Sequence, residues 1–398
     1  MIRTFQYKLY PNQSQAKTLD RWLRASCWIY NRALEQRIKA YERRKESVQY
    51  NTQQALLTEW RERMEELRLV PCAFERDALR RVDRGMKAFF RRVKAGQKAG
   101  FPRFRSWKRY NSMECLAVGT YLKGDRIRVP NMGTIRCRGR LLPEGTQRAL
   151  RVIRNPSGWY AQVLLDDGKQ APETRPVQTA IGVDVGLNAF ATMSDGSKIE
   201  NPRFGRKAAN KLRALQRQLA RKDKGSENRK RAVKAVARQH ERIADQRKYF
   251  CHQISTDLIR RYDLVAFENL NIAGMARTRF AKSILDAGWG TFTQQLTVKA
   301  ANAGRLAVAV NPRGTSQECP DCGAVKKKEL SERTHSCSCG LITDRDTASA
   351  RVILDRAMAA SVATRAVTDP TSDEQLVAAS QVGRLTCVNK IDAVRQVC

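Results

Sequence analysis

"CPDCGAVKKKELSERTHSCSCGLITDRDTASA", residues 319–350, decides how the chain is read. It holds Cys319, Cys322, Cys337 and Cys339 as a Cys-x2-Cys pair and a Cys-x-Cys pair with fourteen residues between them. Four thiolates grouped this way can close a tetrahedral site, and zinc is the default occupant. Four protein ligands leave no open position, so such an ion would be structural. The second pair is one residue tighter than the common spacing, and His335 stands by as a substitute fourth ligand. A redox pair is the competing reading. The stretch then runs into Asp344-Arg345-Asp346, with three residues separating Asp344 from Gly340. A zinc ribbon alone needs no acids, and a carboxylate site needs no cysteines.

The acids gain partners upstream. "TAIGVDVGLNAFATM" (179–193) reads as successive strands with Asp184 at the end of the first, and "YDLVAFENL" (262–270) as an apolar strand ending in Glu268. "RLAVAVNP" (305–312) is a third strand, and Asp344 or Asp346 then opens a helix. One acid at a strand end is commonly structural. Three that converge at one edge of a mixed sheet can hold two Mg²⁺ about 4 Å apart, clamping the attacking and leaving oxygens of a phosphodiester. The histidines are three, His240, His252 and His335, and none is placed for a Ser/His or His-metal hydrolase, which favours carboxylate chemistry.

Composition names the partner class. Lys+Arg number 75 against 39 Asp+Glu, a net charge of +36, and 70 of those cations against 35 acids precede residue 356. Such an excess points to a nucleic acid, bound with counterion release, in preference to a merely solvated thermostable or ribosome-associated surface. The start, "MIRTFQYKLYPNQ", lacks an apolar h-region, and no apolar run reaches membrane-spanning length, so a cytoplasmic protein without a membrane partner is expected. Cys27, Cys72, Cys115, Cys137, Cys251, Cys387 and Cys398 are scattered and read as buried or free thiols.

Along the chain, residues 2–9 alternate as a strand stopped by Pro11, and helical periodicity runs over 14–46, 52–69 and 73–95. "FPRFRSWKRYNS" (101–112) interleaves Arg103, Arg105, Lys108 and Arg109 with Phe101, Phe104, Trp107 and Tyr110. That mixture suits phosphate contact plus base stacking. Its competitor is a basic loop tucking its aromatics into a core. Residues 115–166 are short strands with Gly/Pro turns, a small barrel or sandwich, and "DDGKQAPETRPVQ" (166–178) reads as a linker. Residues 206–262 form two basic helical stretches broken near "KGSEN", and the tail from about 362 has the composition of a weakly ordered segment.

Taken together, "IGVDVGL", "FENLNI", "AKSILDAGWGTF", "TSQECPDCG" and "CGLITDRDTASA", with "YKLYPNQSQ" and "GFPRFRS" before them, resemble the successive blocks of the TnpB family up to about residue 355. TnpB proteins are insertion-sequence-encoded, RNA-guided nucleases ancestral to the compact type V CRISPR effectors. The resemblance implies an α+β multidomain fold. A wedge-type β-barrel (1–12 and 112–170) would carry an inserted helical recognition lobe (13–111), and a linker (171–178) would lead to an RNase H-like RuvC domain (179–361). A zinc ribbon at about 312–342 would be inserted in that domain, and 362–398 would be tail. It places the metal-binding acids on Asp184, Glu268 and Asp346, with Asp344 outside the triad. Ala348 stands where the family usually has Asn, followed by Ser349, which puts one supporting hydrogen bond in question.

The implied activity is RNA-guided cleavage of double-stranded DNA next to a short flanking motif, with two Mg²⁺, one structural Zn²⁺ and one chain per guide RNA transcribed from the transposon end. Such a protein would work in the cytoplasm of a bacterium or archaeon, on the nucleoid. The rivals are a nuclease-inactive RNA-guided repressor of the same origin and a DNA strand-transfer protein. A plain zinc-ribbon binding protein leaves the three acids unexplained. Because so few residues separate the ribbon from Asp344, tetrahedral ligation would fix the chain that delivers Asp346.

Overall fold

Pro11 ends the first strand and Asn12 starts the first helix. The Asn12 side chain accepts from Gln15 N at 2.8 Å while Gln15 Oε1 accepts from Asn12 N at 3.1 Å, a reciprocal cap. A computed structural model describes residues 1–116, 119–329 and 332–366, with side chains to residue 360. The chain divides into two compact units, residues 1–172 with 205–246, and residues 173–204 with 247 onward.

The first unit begins with β1 (Ile2–Tyr10), α1 (Gln13–Arg44), α2 (Tyr50–Arg63), α3 (Glu65–Arg68) and α4 (Cys72–Lys94). The stretch expected as one helix over 52–69 is two, because Met64 leaves the helical region with φ −129° and ψ 105°. Six strands follow: β2 (Ser112–Cys115), β3 (Leu122–Lys123), β4 (Arg126–Val129), β5 (Gly133–Arg138), β6 (Thr146–Asn155) and β7 (Gly158–Asp166). They join β1 in one seven-stranded antiparallel sheet of linear order β2-β6-β7-β1-β5-β4-β3. Every strand of this sheet is thus either N-terminal to the helices or C-terminal to them, so α1–α4 are an insertion between β1 and β2.

Leu19, Trp22, Leu23, Ile29, Tyr30 and Leu34 of α1 are buried against Phe74, Leu79 and Val82 of α4 and against sheet residues Met113, Ile127 and Val163. Each such side chain contributes about 1.5–3 kcal/mol. Asp77 of α4 pairs with Arg81 at 2.8 Å and accepts from Glu114 N at 3.1 Å, so a polar contact pins the helices to β2.

The second unit contains β8 (Ala180–Val185), β9 (Ala189–Met193) and β10 (Lys198–Glu200). The short α5 (Phe204–Lys207), α6 (Ala209–Ala220) and the 35-residue α7 (Glu227–Arg261) come next in the chain, their residues 205–246 belonging to the first unit, with the break between α6 and α7 where "KGSEN" predicts it. Then come β11 (Leu264–Glu268), α8 (Ile272–Met275), α9 (Ala281–Ala287), α10 (Trp289–Ala303), β12 (Leu306–Val310), β13 (Thr334–Ser336), β14 (Ile342–Asp344) and α11 (Arg345–Ala366). A five-stranded mixed sheet runs β10-β9-β8-β11-β12, antiparallel on the β9 side and parallel from β8 through β12. β13 and β14 form a separate hairpin pair.

Strand parity assigns the sheet's two faces. Ile181, Val183, Val265 and Phe267 pack with Trp289, Phe292 and Leu296 of α10. Leu264 and Ala266 pack with Ile353 and Ala357 of α11. Asp184 and Glu268 share the parity of that second set, so they emerge on the α11 face. Gly182 lets α11 approach: a Cβ there would meet Ala350 O at 1.9 Å. Helix α11 continues to Ala366, so residues 362–366 of the expected tail are helical, and 367–398 lie outside the described residues.

Candidate functional site

Two neighbouring parallel strands carry acids at their ends, Glu268 as the last residue of β11 and Asp184 one residue before the last of β8. β8 and β11 are in register with Val183 opposite Phe267, which sets Asp184 and Glu268 one residue further on, side by side. Asp346 sits in the first turn of α11. Burial, then the charges of Glu268 and Asp346, push the Asp184 carboxyl well above the ordinary carboxylate value, against the Arg345 guanidinium and a hydrogen bond with Ser349. Burial also raises Glu268, opposed by the Thr315 hydroxyl and the charge of Arg356. A buried carboxyl at Asp184 that feels two neighbouring acids is a place where a dication could relieve the repulsion. A set of three acids suits two hard cations sharing a phosphate.

Asp344 does a different job. Its Oδ1 accepts from the backbone N–H groups of Asp346 and Thr347, both at 3.1 Å, which is an N-cap on α11. Its Oδ2 takes Lys198 Nζ at 2.9 Å, tying the helix start to β10. Burial alone would raise its carboxyl; Lys198 and the Thr347 N–H outweigh it and hold it below the usual range.

The four thiols converge. Cys319 Sγ lies 3.7 Å from Cys339 Sγ, Cys322 Sγ lies 3.5 Å from Cys337 Sγ, and all four are within 4.8 Å of one another. A Zn–S bond of about 2.3 Å sets tetrahedral sulfurs about 3.8 Å apart, so the cluster fits one zinc. The thiols act on one another: the N–H of Cys339, then Cys322, pull the Cys337 thiol down to about 6, while their mutual hydrogen bonds push Cys322 up to about 12 and raise Cys339. His335 is not the fourth ligand. It is buried between exposed Thr334 and Ser336 on β13, and its Nδ1 meets Lys328. Cys27, Cys115, Cys137 and Cys251 are buried thiols and Cys72 is exposed, while Cys387 and Cys398 lie outside the described residues.

The sequence reading missed the groups that hold the acids in place. Thr315, 3% exposed, donates to Glu268 Oε1 at 2.5 Å from the segment entering the ribbon. Arg356 of α11 fixes that segment, pairing with Glu318 at 2.5 Å and donating to Asn311 O and Arg313 O, each at 2.9 Å. Arg351 reaches Asp321 at 2.6 Å. The four-cysteine segment is therefore tied to the acids at both ends: entry through Thr315 and Glu268, exit through Asp344 and Asp346. Ala348 is buried with only a methyl to offer, and Ser349 next to it hydrogen-bonds Asp184. A Thr or Ser a few residues from a cysteine pair carries no sequence signal of this role.

In the first unit, the 101–109 segment lies along α1. Asn31 bonds Arg105 N at 2.8 Å and Arg105 O at 2.9 Å, and Tyr30 donates to Arg103 O at 3.3 Å. Arg103, Arg105, Lys108 and Arg109 are exposed. The aromatics split: Tyr110 is a core residue at 2% exposure, Phe101 packs edge-on to Phe89, and Phe104 and Trp107 stay exposed. The basic loop is thus both things at once, with its last ring in the core and the others available.

Comparison with known proteins follows this geometry. Residues 162–279 match the family model OrfB_IS605, described as "Probable transposase"; 289–353 match the Cas12f1-like TNB domain, which spans the thiol cluster; 1–46 match a model described as a helix-turn-helix domain. Over 1–46 the structure has a strand and one 32-residue helix. A Streptomyces pristinaespiralis protein named "Putative RNA-guided DNA endonuclease" is 34% identical over 373 residues, covering 90% of each chain. An Escherichia coli K12 protein of that name, InsQ, is 28% identical over 89% of this chain and 92% of its own. The structure of a Cas12f1-sgRNA-target DNA complex aligns over 87% of this chain and 83% of that one, with a TM-score of 0.56 at 13% identity, a likeness of fold. Identity at that level across nine tenths of the Streptomyces protein decides the matter: this chain belongs to the TnpB family.

Proposed function

We propose that this chain is an RNA-guided DNA endonuclease that binds a guide RNA from the transposon end and cuts matching double-stranded DNA beside a short flanking motif. One observation carries the reading: Asp184 and Glu268 stand side by side on the α11 face of a mixed sheet, and Asp184 feels the charges of both Glu268 and Asp346. Two Mg²⁺ bound there would supply Lewis-acid stabilisation of the phosphate and a hydroxide nucleophile. Asp184, Glu268 and Asp346 would hold them, Thr315 and Ser349 orient two of the three carboxylates, and Arg345 balances charge near Asp184. Water adds to phosphorus, the bond to the 3′ oxygen breaks and that oxygen is protonated, giving a 5′-phosphate and a 3′-hydroxyl.

Within this reading the seven-stranded sheet is the wedge-type barrel, α1–α4 are the recognition lobe, and the mixed sheet is the RuvC domain with one structural Zn²⁺ in its ribbon. Guide–target pairing reads sequence while the protein reads backbone shape and the flanking motif. One chain serves one guide RNA, in the cytoplasm on the nucleoid. No helix among the described residues is long and apolar enough to cross a membrane. The test is purification from the host with sequencing of the co-purified RNA, then cleavage of a guide-matched plasmid by wild type and by Asp184→Ala. Absence of bound RNA, or equal cutting by both proteins, sinks the proposal. The family description as a transposase makes strand transfer the second reading, checked with labelled transposon ends in the same preparation.

A further inference from the structure

The strand that carries Asp184 loses a neighbour just where the acid stands. On the β11 side the pairing of β8 ends at Val183 opposite Phe267. On the β9 side it runs two residues further, with Asp184 opposite Thr192 and Val185 opposite Ala191. Gly186 N then donates to Phe190 O at 3.2 Å, and the chain turns. From Asp184 onward β8 is thus paired along one edge only. A ligand to catalytic metals needs firmer placing than that, because small displacements cost much of the rate.

Side chains from the segment after β10 hold the turn. Asn201 Nδ2 and the Arg203 guanidinium both donate to Leu187 O, at 3.0 and 3.3 Å. Both lone pairs of a carbonyl three residues past Asp184 are therefore engaged. Asn201 Oδ1 also accepts from Arg203 N at 3.2 Å across Pro202, which makes the two residues one unit. Phe204 follows, its ring centre 6.0 Å from that of Phe250, which in turn meets Phe190 of β9 at 4.9 Å. All of these residues belong to the second unit. β9 lies between β8 and β10 in the sheet, so residues 201–203 cross the open end of the β8–β9 hairpin to reach Leu187.

Arg203 does this against its own backbone preference. Its φ is +48°, in the left-handed region that glycine enters freely and other residues enter at a cost. Strain of this kind persists where surrounding contacts fix it, and it gathers at functional sites. The side chain is half-buried, and what it is turned toward is the Leu187 carbonyl.

We infer that Asn201 and Arg203 are positioning residues for Asp184, fixing the turn that follows it and so the direction in which its carboxylate meets a divalent cation. The inference rests on the nuclease reading and adds the residues that hold its first acid from outside β8.

The experiment uses the full chain with its co-purified RNA. Arg203→Gly removes the guanidinium and relieves the left-handed backbone, so a merely structural residue and a positioning residue respond differently. Without metal the variant should melt close to wild type, because the relieved strain offsets the lost hydrogen bond. The Mg²⁺ concentration that half-saturates cleavage should rise about tenfold, the low end of what lost supporting contacts around a metal cost. The concentration that half-saturates the Mg²⁺-dependent rise in melting temperature should move with it. Asn201→Ala, which takes away the other donor, should shift both midpoints the same way. Gel-shift affinity for the target in EDTA should stay at the wild-type value. Unchanged midpoints, a sharp fall in melting temperature without metal, or target binding lost in step with cleavage would each overturn the inference, the last by making Arg203 a phosphate contact. A wild type that neither cuts nor melts higher in Mg²⁺ would overturn the nuclease reading and this inference with it, which keeps the two failures apart.

Discussion

Thr315→Val removes one hydroxyl and leaves the side chain's shape nearly unchanged. In the wild type that hydroxyl donates to Glu268 Oε1 at 2.5 Å, within the short range expected when the acceptor is ionised. Thr315 is 3% exposed, so water cannot readily replace the lost donor. Hydrogen bonds to charged groups contribute about 1.5–3 kcal/mol net, and those to neutral groups about 0.5–1.5. The sign with pH follows. Burial raises Glu268, so its contribution to stability is full below the ordinary Glu value and is lost as pH rises through the folded-state value. The Thr315 hydroxyl favours the ionised form, so removing it raises Glu268 further. The variant's stability deficit should therefore be larger at about pH 8 than at about pH 5, where Glu268 is more protonated. If Glu268 must be ionised and oriented to hold metal, the same loss lowers the cleavage rate by about 10- to 150-fold at neutral pH. Melting curves at both pH values without Mg²⁺, and single-turnover cleavage with it, measure the two effects. Thr315→Ser keeps the hydroxyl and should recover most of both. A valine variant that cuts like wild type, or a deficit equal at both pH values with no rescue by serine, refutes the argument.

Gly182→Ala would drive a Cβ to 1.9 Å from Ala350 O and should cost about 1–3 kcal/mol or more by forcing α11 off β8; cleavage should fall further than melting temperature predicts, because Asp346 rides on that helix. Cys319→Ser with Cys322→Ser should release zinc, measured by metal analysis, and lower the melting temperature; one zinc per chain still bound in the double variant defeats the ligand assignment. Asp344→Ala should cost about 0.5–2 kcal/mol as a lost cap and retain cleavage, whereas Asp346→Ala should abolish cleavage and preserve target binding in a gel shift. The reverse pattern would place the third acid two residues earlier.

What could be read from the sequence was whatever depends on a local period. The apolar spacing of Leu19, Trp22, Leu23, Ile29 and Leu34 is also the buried stripe of α1. The positions of Asp184 and Glu268 at the ends of apolar runs are also strand ends. What could not be read depends on which face a loop residue turns to. Nothing local distinguishes Tyr110, which goes into the core under the Arg81 guanidinium, from Trp107 three residues earlier, which stays half open beside Arg24. The expected single helix over 52–69 failed because Met64 turns out of helical conformation, which its side chain, a good helix former, does not announce. His335 looked like a ligand by proximity in sequence, and strand alternation in β13 buried it elsewhere.

The opening stretch raised the question of why a cysteine knuckle should end so close to a pair of acids, and the sequence offered a clamp at its exit. The contacts extend that argument. A clamp at one end would fix where α11 starts and leave Glu268 to β11 alone. With Thr315 on the entry segment bonded to Glu268, Arg356 of α11 bonded to the same segment, and Asp344 capping α11 while held by Lys198 of β10, the ribbon's two ends, the helix and an outer strand form a closed circuit of contacts around the acids. Closing such a circuit removes the independent motion of its members, and sites that hold two metals tolerate little misplacement of their ligands. Zinc held by the four cysteines would then act mechanically on Glu268 as well as on Asp346. Loss of zinc should therefore disturb both acids together, so combining the cysteine variants with Thr315→Val should cost less than the sum of the separate effects.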